Sequence, residues 1–285
     1  MKVFYLLGSF ALVLQNYASL NLPKDFAHKV NAHLPGVTEQ VQEAATTVEV
    51  ENVVVDTSST STGDMIHLLY GMARKHWLEH QIFPVHSACV GNPKVGYYLI
   101  VGESGAGKST TALSLIANHG FSLFSGDKTL IKIDDTGKMH AIAGTKIMTT
   151  RLDTDIGAFK KVIREEDLAQ TDRNSFQLRD SYVESKSSVE IRGIYLIKSY
   201  HSAERNENLS FPMNLFVLFP HFVDQERADV ILGLGQRLLS GEISQELKER
   251  NMKELVKAMK VARVRNVTGS LEYVANEIAK DMETQ

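Results

Sequence analysis

The segment that points most directly to a chemical role runs from Gly102 to Ser109 and reads Gly-Glu-Ser-Gly-Ala-Gly-Lys-Ser. It matches the phosphate-loop pattern G-x-x-x-x-G-K-[ST], whose glycines let successive backbone N–H groups converge on phosphate oxygens. Lys108 is expected to place its ammonium between the β- and γ-phosphates of ATP, and Ser109 to offer its hydroxyl to Mg²⁺. The candidate ATP-binding residues are Gly102, Glu103, Ser104, Gly105, Ala106, Gly107, Lys108, Ser109 and Thr110.

The residues on either side of the loop favour this interpretation over a glycine-rich surface turn that ends in an ordinary lysine. An apolar run from Tyr97 to Val101 leads into the loop, and a series of helix formers from Thr111 to Ala117 follows it. A strand before the loop and a helix after it are the context that the motif requires, because the helix N-terminus attracts phosphate.

Asp127 is the second candidate, and it ends the short apolar run Phe121-Ser-Leu-Phe-Ser-Gly-Asp127. One helix and a tight return separate this strand from the loop, since Asp127 lies only 19 residues after Lys108. A carboxylate in that place can hold Mg²⁺ or accept a proton from an attacking hydroxyl. The alternative is that Asp127 is a turn residue after Gly126.

His86 is the third candidate and lies in the apolar run from Ile82 to Val90. A single histidine in such a run is more often a satisfied core residue than a catalytic one. Its residue type and position alone therefore leave the role of His86 open.

Taken in order, three segments resemble the catalytic core of the HPr kinase/phosphorylase family. They are His86-Ser-Ala-Cys, the loop with Thr110, and Leu123-Phe-Ser-Gly-Asp127. This family comprises P-loop kinases that are distantly similar to phosphoenolpyruvate carboxykinases. The resemblance covers residues 82 to about 151 and implies an α/β fold with a P-loop kinase core of this type.

The resemblance also implies roles for individual residues. His86 is similar to the family's active-site histidine, Lys108 and Ser109 to its phosphate and Mg²⁺ ligands, and Asp127 to the second, metal-facing acid of an Asp-Asp pair. Gly126 stands where the family has the first acid of that pair. Its absence leaves the role of base to Asp127 or His86, and it argues against the reverse reaction on a phosphoserine.

Two arginines are candidates for stabilising the charge of a transferring phosphoryl group, because one lysine and one Mg²⁺ leave some of it uncompensated. They are Arg151 and Arg192. Arg192 lies in Val189-Glu-Ile-Arg-Gly-Ile194, which resembles a signature of the family, but this segment comes later after the loop than in the bifunctional enzymes. For both arginines a surface salt bridge is the alternative.

The apolar and polar segments predict a division into three parts. Residues 1–58 are expected to form a small β-rich or mixed unit, residues 64–222 the P-loop core with a polar insertion at 153–190, and residues 223–285 a helical C-terminal tail. Within these parts we expect a strand at Leu215 to Phe219 and a helix at Val230 to Leu239, because their apolar patterns favour those elements.

The composition excludes several classes of protein. Apolar residues make up 43% of the chain and charged residues 23%, which is typical of a folded globular protein. A net charge of −3 argues against partners such as nucleic acid or an anionic membrane. The apolar run from Val3 to Leu14 is interpreted as a strand pair rather than a secretory signal, and the single Cys89 fits a cytoplasmic protein.

The function expected from these features is an ATP-dependent kinase that transfers the γ-phosphoryl group to a hydroxyl, with ATP and Mg²⁺ as cofactors. The resemblance favours the serine of a protein or peptide as the acceptor. Two alternatives stay open: a small-molecule kinase of the nucleotide or shikimate type, and a non-catalytic ATP-binding regulator. The sequence does not decide whether the chain forms a homo-oligomer.

Overall fold

The computed structural model describes residues 62–150, 154–168, 175–223 and 243–284, together with the short segments 2–6, 10–14, 32–35, 37–38, 47–48, 230–232 and 236–238. Near the N-terminus four short strands form one sheet in the order β3-β1-β2-β4. They are β1 (Lys2–Leu6), β2 (Phe10–Leu14), β3 (Val37–Thr38) and β4 (Thr47–Val48). Most of residues 1–58 and Arg151 lie outside the described residues.

The central element is a mixed, mostly antiparallel sheet of eight strands. Its strands are β5 (Ile82–Asn92), β6 (Gly96–Val101), β7 (Ser122–Ser125), β8 (Lys128–Ile133), β9 (Met139–Gly144), β12 (Val189–Ser199), β13 (Arg205–Asn208) and β16 (Val264–Gly269). The order is β13-β16-β12-β6-β5-β8-β9, and β7 pairs with β5. Only the pairs of β12 with β6 and with β16 are parallel.

The helices and the remaining strands surround this sheet. The helices are α1 (Thr62–Glu79), α2 (Lys108–His119), α3 (Glu165–Leu168), α4 (Met213–Val223), α5 (Gln245–Val261) and α6 (Leu271–Glu283). Two small antiparallel pairs lie outside the central sheet. They are β10 (Ile147–Thr149) with β11 (Ser175–Gln177), and β14 (Val230–Leu232) with β15 (Gln236–Leu238). No helix among the described residues is long and apolar enough to cross a membrane.

Both faces of the sheet are covered, which explains why β6 is apolar at successive positions rather than at alternate ones. Tyr98 and Ile100 pack with α2 and α6 on one face. Leu99 and Val101 pack with α4 and α5 on the other. Successive strand side chains point to opposite faces, so a strand between two helical layers needs apolar residues at every position.

The described part of the insertion at 153–190 buries several apolar side chains, although its sequence is rich in polar and charged residues. A 3-10 turn at Ile156–Phe159 and the ladder of β10 with β11 bring apolar side chains against the layer that contains α2. These buried side chains are Phe159, Val162, Ile163, Phe176 and Leu178. The segment is therefore held on the body of the protein, close to the phosphate loop.

Two secondary-structure predictions were wrong, and several strands, among them β11, β13 and β16, were not predicted. Residues Leu215 to Phe219 lie inside α4, because a run of five apolar residues fits a buried helix as well as a strand. Val230 to Leu239 contains the β14–β15 hairpin instead of a helix. The expected helical tail also contains β16, which lies between β12 and β13 in the central sheet.

Candidate functional site

The phosphate loop connects the end of β6 to the beginning of α2, so the predicted strand and helix are both present. Gly105 and Gly107 have φ angles of 81° and 91° in the left-handed region, which glycine adopts without strain. An added Cβ at Gly107 would lie 2.7 Å from the Cβ of Ser199. The N-cap residue of α2, Gly107, has no side chain with which to cap the helix, so the first N–H groups of α2 are left to the loop, where an anion can meet them.

Lys108 reaches back from the first turn of α2 across the loop. Its Nζ donates hydrogen bonds to the carbonyl oxygens of Gly102 at 2.8 Å and Glu103 at 3.1 Å. The side chain is buried, which limits the number of positions that the ammonium can take. The cation is thus held at the beginning of the loop, within reach of a phosphate bound by the helix N-terminus.

His86 and Asp127 are brought together beside this loop. His86 lies on β5, and its Nε2 is 3.2 Å from Oδ1 of Asp127. The side chains are 10% and 25% exposed, so water screens the pair only partly. Spacing predicted that Asp127 lies beside the loop, and the family resemblance suggested a site role for His86; the structure adds that the two side chains contact each other.

The pKa of His86 lies below its ordinary value. Burial lowers this pKa, and the ammonium groups of Lys128 and Lys108 lower it further, while the hydrogen bond to Asp127 opposes them. Because the ordinary value is about 6.5, the imidazole is neutral at pH 7. A neutral imidazole can hold one proton toward Asp127 or accept a proton itself.

The position of Asp127 is fixed by an interruption between two strands that pair with β5. Cys89 of β5 pairs with Ser125 of β7, and His86 pairs with Lys128 of β8, so Gly126 and Asp127 form the two-residue connection between β7 and β8. Thr145 holds this connection: its Oγ1 accepts hydrogen bonds from the backbone N–H groups of Asp127 and Lys128, each at 3.1 Å. The carboxylate consequently leaves the sheet toward the loop.

Gly126 is buried, and the backbone of β10 closes this position to a side chain. A Cβ built there would lie 2.1 Å from the carbonyl oxygen of Ile147. Its N–H donates to the carbonyl oxygen of Thr145 at 2.8 Å. An acid at this position would need β10 to move, because the backbone of β10 occupies the space that the side chain would need.

A cavity of about 750 Å³ joins the loop to these side chains. It is lined by the loop and α2, by the His86–Asp127 pair, by the end of β10 and the insertion, by the residue after β12 and by the first residue of α6: His86, Ser104, Gly105, Gly107, Lys108, Ser109, Thr110, Asp127, Thr149, Thr150, Thr154, Asp155, Ala158, Phe159, Tyr200 and Leu271. Its volume lies within the range of about 300–1,000 Å³ that is usual for small-molecule sites.

The chain was compared with protein-family models and with curated proteins. Neither comparison gives a match. The resemblance to HPr kinases therefore rests on the three sequence segments described above.

Of the two arginine candidates, Arg192 is not brought to the cavity. Arg192 is exposed and lies over Gly96, at the beginning of β6, whereas the loop follows the end of that strand. Its register in β12, which runs parallel to β6, keeps it at the far end of the sheet. Arg151 lies outside the described residues.

Sequence reasoning missed three residues of the site. Thr145 positions Asp127 through the backbone, Tyr200 lines the cavity, and Lys128 lies behind His86 with its Nζ 4.7 Å from the ring centroid of Tyr70. The only sequence signal for Lys128 is its position next to Asp127. Thr145 and Tyr200 carry none, because their proximity to the loop depends on the pairing of distant strands.

A second recess of about 1,000 Å³ lies on the opposite side of the loop. It is bordered by α4, by the ends of β12 and β16 and by the loop residues Gly102 to Ala106, so Ser104 and Gly105 line both recesses. Its α4 wall is apolar, and the side chain of Phe216 in that wall is 78% exposed. We call this recess the α4 groove.

Proposed function

We propose that the chain is an ATP-dependent kinase that transfers the γ-phosphoryl group to a serine hydroxyl of a protein or peptide. The observation that carries the proposal is a single cavity that contains both the uncapped N-terminus of α2 with Lys108 and the His86–Asp127 pair. The first set of groups binds phosphate, and the second can accept a proton.

The side chains available fit ATP with Mg²⁺. Within the described residues no three His, Cys, Asp or Glu side chains cluster as metal ligands. Mg²⁺ needs no such cluster, because it is usually held by one or two protein oxygens together with substrate phosphates and water. Ser109 and Asp127 would hold it, and when bound it would neutralise phosphate charge.

In the reaction, the serine oxygen attacks the γ-phosphorus and forms the new O–P bond while the bond from the γ-phosphorus to the β–γ bridging oxygen breaks, which releases ADP. The hydroxyl proton passes to the Asp127 carboxylate. Neutral His86, with its proton on Nε2, orients that carboxylate, and Lys108 and the loop amides stabilise the charge on the phosphoryl oxygens. These groups supply positioning and electrostatic stabilisation, which is most of what phosphoryl transfer requires.

The α4 groove favours a peptide as the acceptor. It meets the cavity at Ser104 and Gly105, so a chain lying over the loop could place a serine near Asp127 and an apolar side chain in the groove. Phe216 offers that side chain an exposed aromatic ring. A small-molecule acceptor would leave this apolar surface uncovered.

A regulator that binds ATP without transferring phosphate is the second candidate. The closed position at Gly126 favours it, because the family's first acid has no room there. In that case nucleotide binding would act on the turn at Ile156–Phe159, which lines the cavity.

The test is incubation of the purified chain with γ-labelled ATP, Mg²⁺ and serine-containing peptides that differ only in whether the residues near the serine are apolar or acidic. We expect label in the peptides with apolar residues, and at least about 100-fold less label with Lys108→Ala or Asp127→Asn. Lys132→Ala, at an exposed lysine far from the loop, is the matched control.

The alternatives give different results in the same assay. Label in free nucleotides or polyols instead of peptides would favour the small-molecule kinase. ATP binding that Lys108→Ala abolishes, with no labelled product from any acceptor, would favour the regulator. If Phe216→Ser leaves the KM for the peptide unchanged, the α4 groove does not bind the acceptor.

A further inference from the structure

Tyr200 is a non-glycine residue in a backbone conformation that glycine normally occupies. Its φ angle is 67°, in the left-handed region, where the Cβ of an L-residue crowds the following carbonyl oxygen. It follows the last residue of β12, and its side chain is 60% exposed. Strained residues of this kind persist only where their surroundings hold them, and they concentrate at functional sites.

The backbone on both sides of Tyr200 is held by hydrogen bonds. The N–H of Ser199 donates to the carbonyl oxygen of Ala106 at 2.9 Å, and the N–H of His201 donates to the carbonyl oxygen of Gly269 at 2.9 Å. The Ser199 hydroxyl also lies 3.1 Å from that of Thr111 in α2. The loop, β16 and α2 together therefore maintain the strained conformation.

This conformation places the ring of Tyr200 against the last glycine of the loop. A Cβ built on Gly107 would lie 3.2 Å from Cε2 of the tyrosine. The ring shares the cavity wall with Thr110 and with Leu271 at the beginning of α6. At the other end of the same cavity lie His86 and Asp127.

The direction of a bound nucleotide follows from the loop. Lys108 lies near the loop's first carbonyls, where the terminal phosphates are bound, and the N–H groups at the beginning of α2 meet the phosphates that come next. Ribose and base must then leave over the beginning of α2, beside Thr110. Tyr200 and Leu271 form the cavity wall there.

We propose that Tyr200 is the residue on which the base of the donor nucleotide stacks. This inference rests on the proposed nucleotide binding and adds to it the position of the base. Every nucleobase has a π-face, so stacking on one tyrosine contributes affinity with little discrimination between adenine and guanine. The strained backbone conformation holds the ring where the ribose and base leave the loop, over the beginning of α2.

The test compares two ligands that share the phosphates and differ in the base. The affinities of Mg-ATP and of Mg-tripolyphosphate are measured by titration calorimetry for the full chain and three variants. Tyr200→Ala should weaken ATP binding about 5- to 100-fold and leave tripolyphosphate binding unchanged. Tyr200→Phe should keep both affinities, because it retains the ring.

Tyr200→Gly is the third variant and guards against misfolding of the alanine variant. It removes the ring and relieves the left-handed strain, so it should unfold at a higher temperature than Tyr200→Ala and show the same selective loss of ATP affinity. Unchanged ATP affinity in the folded variants would overturn the inference, and so would an equal loss for both ligands. If the wild-type chain binds tripolyphosphate and ATP equally well, the phosphate site stands and the stacking role fails. If it binds neither ligand, the proposed function itself fails.

Discussion

Substitution of Gly126 tests whether the packing of β10 explains why a glycine stands where the HPr kinase family has the first acid of its Asp-Asp pair. A Cβ at this position would lie 2.1 Å from the carbonyl oxygen of Ile147 and 2.8 Å from its carbonyl carbon, both backbone atoms that cannot rotate away. Gly126→Ala must therefore displace β10. Gly126→Asp must in addition bury a carboxylate beside a carbonyl oxygen.

The expected cost follows from two contributions. Overpacking at a well-packed site costs about 1–3 kcal/mol. Displacing this connection also endangers the hydrogen bond from the Gly126 N–H to the carbonyl oxygen of Thr145, which contributes about 1 kcal/mol. We expect Gly126→Ala to lower the free energy of unfolding by about 2–4 kcal/mol, and Gly126→Asp to lower it by more.

The assay is urea denaturation followed by circular dichroism, with Gly120→Ala as the matched control. Gly120 has a left-handed φ of 71° but nothing within 4 Å of an added Cβ, so its substitution carries the backbone cost of about 1–2 kcal/mol without a clash. If Gly126→Ala unfolds like the wild type, or if Gly126→Asp raises phosphoryl transfer, the closed position does not explain the missing acid.

Three further predictions concern the site and its support. Because burial lowers the pKa of His86, the unfolded chain binds a proton that the folded chain does not, so the free energy of unfolding falls as the pH drops below about 6.5. Urea denaturation between about pH 5 and pH 7 should show a smaller fall in this free energy for His86→Gln than for the wild type. Thr145→Val should cost about 1–3 kcal/mol of stability in the same assay and slow phosphoryl transfer, whereas Thr145→Ser should restore both, since two N–H groups depend on the hydroxyl. Asp281 accepts a hydrogen bond from Tyr195 at 2.6 Å and pairs with Arg263, so Asp281→Asn should lower the unfolding free energy by about 2–3 kcal/mol, and a loss no larger than that of the exposed Glu165→Gln would contradict this role.

The phosphate loop and its flanking elements could be predicted from sequence because their information is local. Glycines at fixed offsets, an apolar run before them and helix formers after them all lie within some twenty consecutive residues. The strands β8 and β9 depend on local information as well, since the turn from Asp134 to Gly137 between them closes with a hydrogen bond of 3.0 Å.

The remaining elements depend on contacts that the sequence does not reveal. Val264 to Gly269 contains arginine and asparagine, so it lacks the apolar run expected of a strand that lies within a sheet. In the structure Arg265 pairs with Asp281 of α6, and that partner makes the polar strand acceptable. Leu215 to Phe219 was misassigned because Pro220, which usually ends a helix, lies in the last turn of α4 here.

The residues of the candidate site also divide into those that the local sequence predicts and those that depend on contacts between distant strands. Asp127 could be placed by its distance from the loop, whereas the interest of His86 came from a resemblance. Thr145 and Tyr200 could not be found, because one acts through backbone N–H groups and the other depends on β12 ending beside the loop. Residues that touch the loop through sheet pairing become visible only when the strand order is known.

That strand order gives the proposed site its direction. β6 carries the loop between β5 on one side and β12 on the other, so His86 and Asp127 line the cavity from the β5 side and Tyr200 from the β12 side. In the proposed complex a nucleotide would lie across the ends of these strands, with its reacting phosphate near Asp127 and its base near Tyr200. Changes on the β5 side should act on kcat and changes on the β12 side on nucleotide affinity, because the two sides contact opposite ends of the same ligand.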